Sequence, residues 1–186
     1  PTTLGIYQIV DLLDATNSHV TGYGRINGDV ATHLGSTGEF GYGVRFDHST
    51  NCSVSNLQID ECWGDSIHVG ISNTDIRIKS VSLSSSRRQG ISVVSVDGLI
   101  MSDIRITDIG QIASTPPASG IDIEPDDYGP NVSNVILDGF HISGCVGLGL
   151  GLWTPTFPAY TDNVVIANGI SRNNSAGYLF RNTRSL

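Results

Sequence analysis

Two carboxylates in this sequence have the types and the spacing needed to cleave a glycosidic bond. Asp122 and Glu124 are separated by one residue in the run Gly-Ile-Asp-Ile-Glu, which begins at residue 120. In a β-strand, residues i and i+2 face the same side, so both carboxyl groups could reach one sugar. Glycoside hydrolysis uses such a pair, one protonated as acid and one ionised as base or nucleophile. We assign the acid role to Glu124 and the other to Asp122, with mutual repulsion raising one pKa.

Three basic side chains complete this candidate site. Arg45 and His68 stand at equivalent positions of a repeated pattern, and Arg88 precedes its next copy. We expect them to bind hydroxyl or carboxylate groups of the substrate. A lyase is the alternative chemistry, because it needs a basic group to take a proton and a cation to neutralise a uronate. His68 with Arg45 or Arg88 could serve in that reaction.

Aromatic and acidic residues follow in two long connectors. Trp153, Phe157 and Tyr160 would offer apolar ring faces with polar tips, which suit sugar rings. Asp126 and Asp127 could replace either catalytic carboxylate, or could form a turn or a Ca²⁺ ligand set. Insertions in a solenoid gather on its binding face. We therefore expect the loops at 107–120, 124–134 and 153–163 to converge on one cleft.

The repeat that must position these residues has two parts. A small residue followed by apolar-x-apolar begins at Gly43, Ser66, Gly90, Gly120 and Gly149, with a degenerate copy at Gly177. Between these copies runs apolar-x-apolar-x-x-apolar-x-apolar, at residues 52–59, 76–83, 99–106 and 135–142. A looser copy places Val165, Ala167 and Ile170 inward. The break in the middle of the second part holds bend residues such as Ser, Asn, Asp and Gly.

This pattern predicts three short strands per repeat, each apolar on one face. One repeat cannot bury that face alone, but stacked copies can. We therefore expect an all-β fold, a right-handed single-stranded parallel β-helix of about seven coils. Residues 1–186 would form one β-helix domain, a fragment of a longer chain. The first strand of each coil would point Arg45, His68, Ser92, Asp122 and Gly151 outward, whereas the outward column of the middle strand is mostly small and polar.

Charge and composition exclude several function classes. The net charge is −8 and the ten basic residues are scattered, so we expect no nucleic-acid partner. No run of 18 apolar residues exists, so we expect no membrane insertion. The three cysteines, Cys52, Cys62 and Cys145, fit neither a disulfide scaffold nor a zinc site and are predicted to be free thiols. We expect no metal and no cofactor, except that Ca²⁺ could bind at Asp126 and Asp127.

The repeat resembles the pectate-lyase-like right-handed β-helix superfamily, which includes polygalacturonases and phage tailspike depolymerases. The resemblance rests on residues 21–29, 62–69, 87–92 and 119–125. It implies a polysaccharide partner, an extracellular or virion-surface location and a homotrimer. The sequence departs from the polygalacturonase pattern, since Asp65 lacks a second Asp and no Gly-His-Gly occurs. We therefore expect a hydrolase, or else a lyase, that acts on a bacterial surface or uronate-type polysaccharide, such as a tailspike depolymerase core. The alternative is a non-catalytic stalk or carbohydrate-binding segment of a fibre.

Overall fold

The computed structural model describes residues 7–36, 38–126, 131–153 and 159–181 of the 186-residue chain. These residues form fifteen β-strands, and no helix occurs among them. The strands are β1 (Gln8–Leu13), β2 (His19–Thr21), β3 (Arg25–Asn27), β4 (Tyr42–Asp47), β5 (Ser53–Ser55), β6 (Gln58–Asp60), β7 (Ile67–Val69), β8 (Asn73–Ser84), β9 (Ile91–Val93), β10 (Val96–Thr107), β11 (Ile121–Ile123), β12 (Val132–Ser143), β13 (Leu148–Trp153), β14 (Thr161–Arg172) and β15 (Ala176–Arg181). No helix in the described ranges could cross a membrane.

The strands stack into two parallel sheets, which confirms the predicted all-β parallel β-helix. One sheet has seven strands in the order β1-β4-β7-β9-β11-β13-β15, one strand from each coil. We call these seven the anchor strands. The other sheet has eight strands, among them β8, β10, β12 and β14. Each strand pairs with its equivalent in the next coil, so seven coils are present in the described residues.

The core lies between the two sheets and is built from ladders of identical positions. Ile67, Ile91 and Ile121 lie in register on neighbouring anchor strands and are fully buried. The opposite sheet supplies facing ladders, such as Ile78 stacked on Met101. The apolar residues of the two-part repeat therefore fill one continuous core. The three cysteines lie in or beside it as free, buried thiols, as predicted.

The predicted pair of separate short strands occurs in the first two coils, as β2 with β3 and β5 with β6, but not in the four coils that follow. In β8, β10, β12 and β14 the two segments form one strand of 12 residues that bends without breaking. The bends coincide with residues in the left-handed backbone region, whose φ lies between 51° and 57° where the residue is not glycine. These residues stack in columns along the corners: Asn17, Asn51, Asp75, Gly98, Asn134 and Asn163 in one; Asn56, Ser80, Asp103, Gly139 and Asn168 in a second; Glu61, Ser85, Asp108, Gly144 and Asn173 in a third.

Replacing Ser85 with glycine is expected to stabilise the fold by about 0.5–1 kcal/mol. Ser85 adopts φ 55°, a conformation that costs an L-residue roughly 1–2 kcal/mol and glycine almost nothing. The greater freedom of glycine in the unfolded chain offsets about half of that gain. Urea denaturation would measure the change. The same substitution at Ser82, an extended residue of β8, should instead destabilise by a similar amount, and equal effects at both sites would contradict the interpretation.

The prediction of which residues face inward in the last complete coil is wrong by one position. The looser repeat copy placed Val165 and Ile170 inward, but the structure pairs Val164 with Val135 of the preceding coil. Val164 is buried, whereas Val165 and Ile170 are more than half exposed. Because the side-chain period of a strand is two, a one-residue slip exchanges the faces. The run Val164-Val165-Ile166 is apolar on both faces, so alternation could not set its register.

The outward column of the middle strands is less polar than the sequence suggested. Ile100 and Ile136 stack there on neighbouring coils, next to Val165, and each is more than two-fifths exposed. This apolar stripe is confined to the second half of the chain, so the outward column appears small and polar when all coils are considered together.

Candidate active site

The anchor strands present one outward side chain per coil, in the predicted order. Arg45 on β4, His68 on β7, Ser92 on β9 and Asp122 on β11 pair directly in register. Neighbouring strands lie about 4.8 Å apart, so these four side chains form a ladder along the axis. Asp11 of β1 extends the ladder below Arg45. Asp11 is not apparent from the sequence because no small residue of the anchor pattern precedes it.

This ladder forms the floor of an open depression of about 370 Å³, which we call the cleft. The sequence-predicted residues that line it are Arg45, His68, Arg88, Asp122, Glu124 and Asp126. The structure thus brings six of the nine predicted site residues together.

One wall of the cleft comes from a segment that the sequence argument did not select. Glu39 and Phe40, from the long connector between β3 and β4, line the cleft beside Tyr42. Of the three loops expected to converge, only 124–134 supplies lining residues in the described part of the chain. The loop at 107–120 instead contacts Arg87 through Thr115. Nothing local in residues 28–41 signals this wall, because its position depends on packing against a later coil.

Asp122 is almost fully buried although it lies at the cleft. Gln89 Nε2 donates a hydrogen bond to its Oδ2 at 2.7 Å, and Trp153 Nε1 donates to its Oδ1 at 3.2 Å. Burial raises the pKa of Asp122 to about 6, and the nearby Asp65 charge adds to the rise. The two donated hydrogen bonds and Arg88 act in the opposite direction. The carboxyl group is therefore poised to exchange a proton in mildly acidic solution.

Asp65 organises the basic side of the cleft from beneath. Its fully buried carboxylate accepts from Arg88 at 3.1 and 3.2 Å and from the Ser92 hydroxyl at 2.7 Å. Asp65 was not among the site residues predicted from the sequence. Asp65 and Gln89 occupy equivalent positions two residues before the inner isoleucine of their coils, which is the signal that could have placed both beside the ladder.

The same network fixes the tautomer of His68. The Ser92 hydroxyl gives its proton to Asp65, so His68 Nδ1, 2.7 Å from that hydroxyl oxygen, must be the donor between them. In the neutral ring the proton then resides on Nδ1, and Nε2 keeps its lone pair beside Gly70, another lining residue. The ring stacks on Tyr42 with centroids 4.3 Å apart. His68 is therefore oriented as a hydrogen-bond acceptor or base toward the cleft.

Two predicted site residues that the structure describes, Trp153 and Tyr160, do not line the cleft. Trp153 reaches the site only through its hydrogen bond to Asp122. Tyr160 lines a different depression with Asn73, Asn131 and others, so it does not share the cleft. Asp127 and Phe157 lie outside the described residues, which leaves the proposed Ca²⁺ ligand set undescribed. Within the described ranges, no three His, Cys, Asp or Glu side chains are arranged to hold a metal ion.

Comparison with known proteins decides the family. The family described as "Right handed beta helix region" matches residues 42–186, which is most of the chain. The chain belongs to this right-handed β-helix family. The match also gives the hand of the coil, which the sequence argument predicted.

Two relatives of the β-helix chain come from Bacillus subtilis strain 168. It is 30% identical over 121 residues to the SPbeta prophage-derived uncharacterized protein YorA, covering 59% of this chain and 19% of YorA. It is 32% identical over 99 residues to the uncharacterized protein YclG, covering 48% of this chain and 17% of YclG. The chain thus spans about a fifth of the length of these relatives. No solved structure matches it.

Proposed function

We propose that this β-helix belongs to a polysaccharide-cleaving protein and that its cleft hydrolyses glycosidic bonds. The observation that carries the proposal is Asp122, a buried carboxyl group with a pKa of about 6 at the floor of an open cleft. Glu124, two residues further along, lines the same cleft. A carboxyl group whose pKa is raised by burial, beside a second carboxyl group, matches the pair that glycoside hydrolysis uses.

We propose the reverse of the roles that the sequence suggested for the two carboxyl groups. We assign the general acid to Asp122 and the base or nucleophile to Glu124. The roles expected from the sequence depended on repulsion between the pair, but desolvation is the largest cause of the raised pKa of Asp122. Desolvation acts on the more buried group, and Asp122 is more buried than Glu124.

The relatives support a bacterial or phage setting for this proposal. One relative carries a name that describes it as prophage-derived. A depolymerase of bacterial surface polysaccharide, such as a tailspike core, fits that origin. We extend the proposal to an extracellular or virion-surface location and to a homotrimer.

His68 favours a second candidate, a polysaccharide lyase. Its Nε2 lone pair beside Gly70 could take the proton next to a uronate carboxylate. Such a lyase would also need a cation to neutralise that carboxylate, and Arg45 or Arg88 would have to supply it. The products separate the two candidates, because a lyase leaves an unsaturated sugar that absorbs ultraviolet light and a hydrolase does not.

The test is a release assay on a panel of bacterial capsular and plant cell-wall polysaccharides, using the full natural protein. Hydrolysis is expected to release reducing ends without ultraviolet absorbance, and Asp122→Asn and Glu124→Gln should each abolish release. Asp75→Asn is the matched control, since Asp75 is exposed and its left-handed backbone also suits asparagine. Cleavage that survives both site changes would show that the site is elsewhere.

The non-catalytic alternative has its own signature in the same panel. A stalk or carbohydrate-binding segment would retain polysaccharide without releasing ends, and Asp122→Asn would leave that retention unchanged. Neither cleavage nor retention of any polymer would contradict the proposed function altogether.

A further inference from the structure

The lining of the cleft is strongly acidic. Five carboxyl groups line it against two guanidinium groups, at Glu39, Asp47, Asp122, Glu124, Asp126 and at Arg45, Arg88 respectively. The fully buried Asp65 carboxylate lies directly beneath them. The chain as a whole carries a formal charge of −8, so the surrounding field has the same sign.

Arg45 is already matched by carboxylates of the protein. Its Nε and one terminal nitrogen donate to both oxygens of Asp11, each at 2.9 Å. Its other terminal nitrogen lies 3.4 Å from Asp47. This two-pronged contact raises the pKa of Arg45 further. A substrate carboxylate would have to displace two protein carboxylates to use this cation.

The guanidinium of Arg88 is likewise paired with carboxylates on two sides. One terminal nitrogen contacts both oxygens of Asp65, and the other lies 3.3 Å from Glu39. Asp65 is fully buried, so its attraction to Arg88 is little screened by water or salt. Releasing Arg88 to an anionic ligand would leave a buried carboxylate without its cation, which is strongly unfavourable.

We propose that the cleft selects against acidic sugars and favours polysaccharides that carry free amino groups, such as unacetylated hexosamines, with neutral polymers in between. The proposal rests on the proposed function of this cleft. A uronate carboxylate would enter among protein carboxylates, and both guanidinium groups in the described lining are already paired with carboxylates of the protein. Like charge is an effective means of rejection. An ammonium group would instead be attracted by the excess of carboxyl over guanidinium groups in this lining. Rejection of acidic sugars also disfavours the lyase reaction, because its substrate is a uronate.

The test compares one sugar backbone in three charge states. Oligomers of β-1,4-linked glucose, of the corresponding glucosamine, and of glucose oxidised to glucuronate at C6 share length and linkage. They are added to the polysaccharide panel, and binding to the full natural protein is measured by calorimetry at low and high salt. We expect the amine form to bind at least about fivefold more tightly than the neutral form, and the uronate form least tightly. High salt should reduce the differences in affinity between the three forms.

Two variants test whether the cleft sets this order of binding affinities. Asp126→Asn removes a carboxyl group from the lining and should reduce the preference for the amine form. Asp75→Asn removes one exposed carboxyl group away from the cleft and should leave the preference unchanged. An equal loss in both variants would mean that net charge alone sets the order, which would overturn the proposal.

The outcomes also separate this inference from the proposed function. Cleavage or tightest binding of a uronate polymer, on any backbone of the panel, would overturn the inference and leave the proposed function standing. Absence of binding and cleavage across the whole panel would overturn both. Cleavage confined to neutral and amine-bearing polymers would support both.

Discussion

Replacing Asp122 with asparagine should lower kcat by about 10²–10⁴-fold, the range that a positioned general acid contributes. Asparagine has nearly the same shape and can still accept a hydrogen bond from Gln89 or Trp153. It cannot donate the proton that the leaving oxygen needs. The variant should therefore bind its polysaccharide and fail to cleave it. A loss of less than tenfold, or an equal loss in Asp75→Asn, would remove Asp122 from the acid role.

The pH profile gives an independent measure of the same group. The acid must be protonated, so kcat/KM of the natural protein should fall as the pH rises through about 6. The residual activity of Asp122→Asn should not show this fall in kcat/KM. A profile that stays flat between pH 5 and 8 would contradict the raised pKa of this carboxyl group.

Stability should follow pH in a matching way. The pKa of Asp122 is about 6 in the folded chain and 3.8 in an unfolded reference, so the folded state holds the proton more tightly between those values. This contribution to the free energy of unfolding is complete below pH 3.8 and is lost as the pH rises through 6. We expect the pH dependence of the melting temperature to be weaker in Asp122→Asn than in the natural protein.

Replacing Arg87 with alanine should destabilise the fold by about 3 kcal/mol, a value from the upper part of the usual range for single substitutions. Arg87 is almost fully buried. Its Nε donates to the Trp63 carbonyl at 2.7 Å, and its two terminal nitrogens donate to Thr115 Oγ1 and to the Gly38 carbonyl. Its guanidinium also lies 4.0 Å from the centre of the Trp63 ring. Removing it would leave the buried Trp63 carbonyl without this donor, at a cost of about 1–3 kcal/mol, and would also remove the two part-buried bonds to Thr115 and Gly38.

Arg87 ties two connectors to the coil that carries the cleft. Gly38 belongs to the connector that supplies the Glu39 and Phe40 wall, and Thr115 belongs to the loop before β11. Trp63 in turn stacks on His33 of the first connector, with centroids 3.9 Å apart. We therefore classify Arg87 as a positioning residue. Its loss should raise KM more than it lowers kcat, because the wall shifts and the carboxyl pair does not.

The measurement is thermal unfolding of three variants. A change of 3 kcal/mol corresponds to a fall of about 6–12 °C in Tm for a domain of this size. Arg87→Lys keeps the charge but loses the planar fork, so we expect an intermediate fall. Arg105→Ala is the matched control, since Arg105 is exposed on β10. A Tm for Arg87→Ala within about 2 °C of that control would refute the role given to Arg87.

The coil and its inner ladders could be predicted from the sequence because periodicity is a local signal. The spacing between Ser66, Gly90 and Gly120 determines which strands stack, and alternation then determines that His68 and Asp122 face outward. The same reasoning failed at Val165, where apolar residues occupy both faces. It also missed β1, because the pairing of Asp11 with Arg45 has no small residue to mark it.

The chemistry of the site was less predictable for a physical reason. The pKa of Asp122 depends on its burial beneath Gln89 and Trp153, and burial is a property of packing between coils. The contact between Arg88 and Glu39 joins residues far apart in the chain, across a connector with no repeat. Sequence spacing can place side chains in one column, but it does not show which of them are covered or which are already paired.

Each coil contributes one side chain to the ladder, so the cleft is modular. Each coil contacts only its neighbours, so a coil is a unit that evolution or design can duplicate, delete or exchange. Inserting one coil between β7 and β11 would move Arg45 away from Asp122 by about 4.8 Å while leaving each local environment nearly intact. Polymer recognition could thus diverge between relatives by changing the number of rungs between binding and reacting groups, with no new fold and no new catalytic residue.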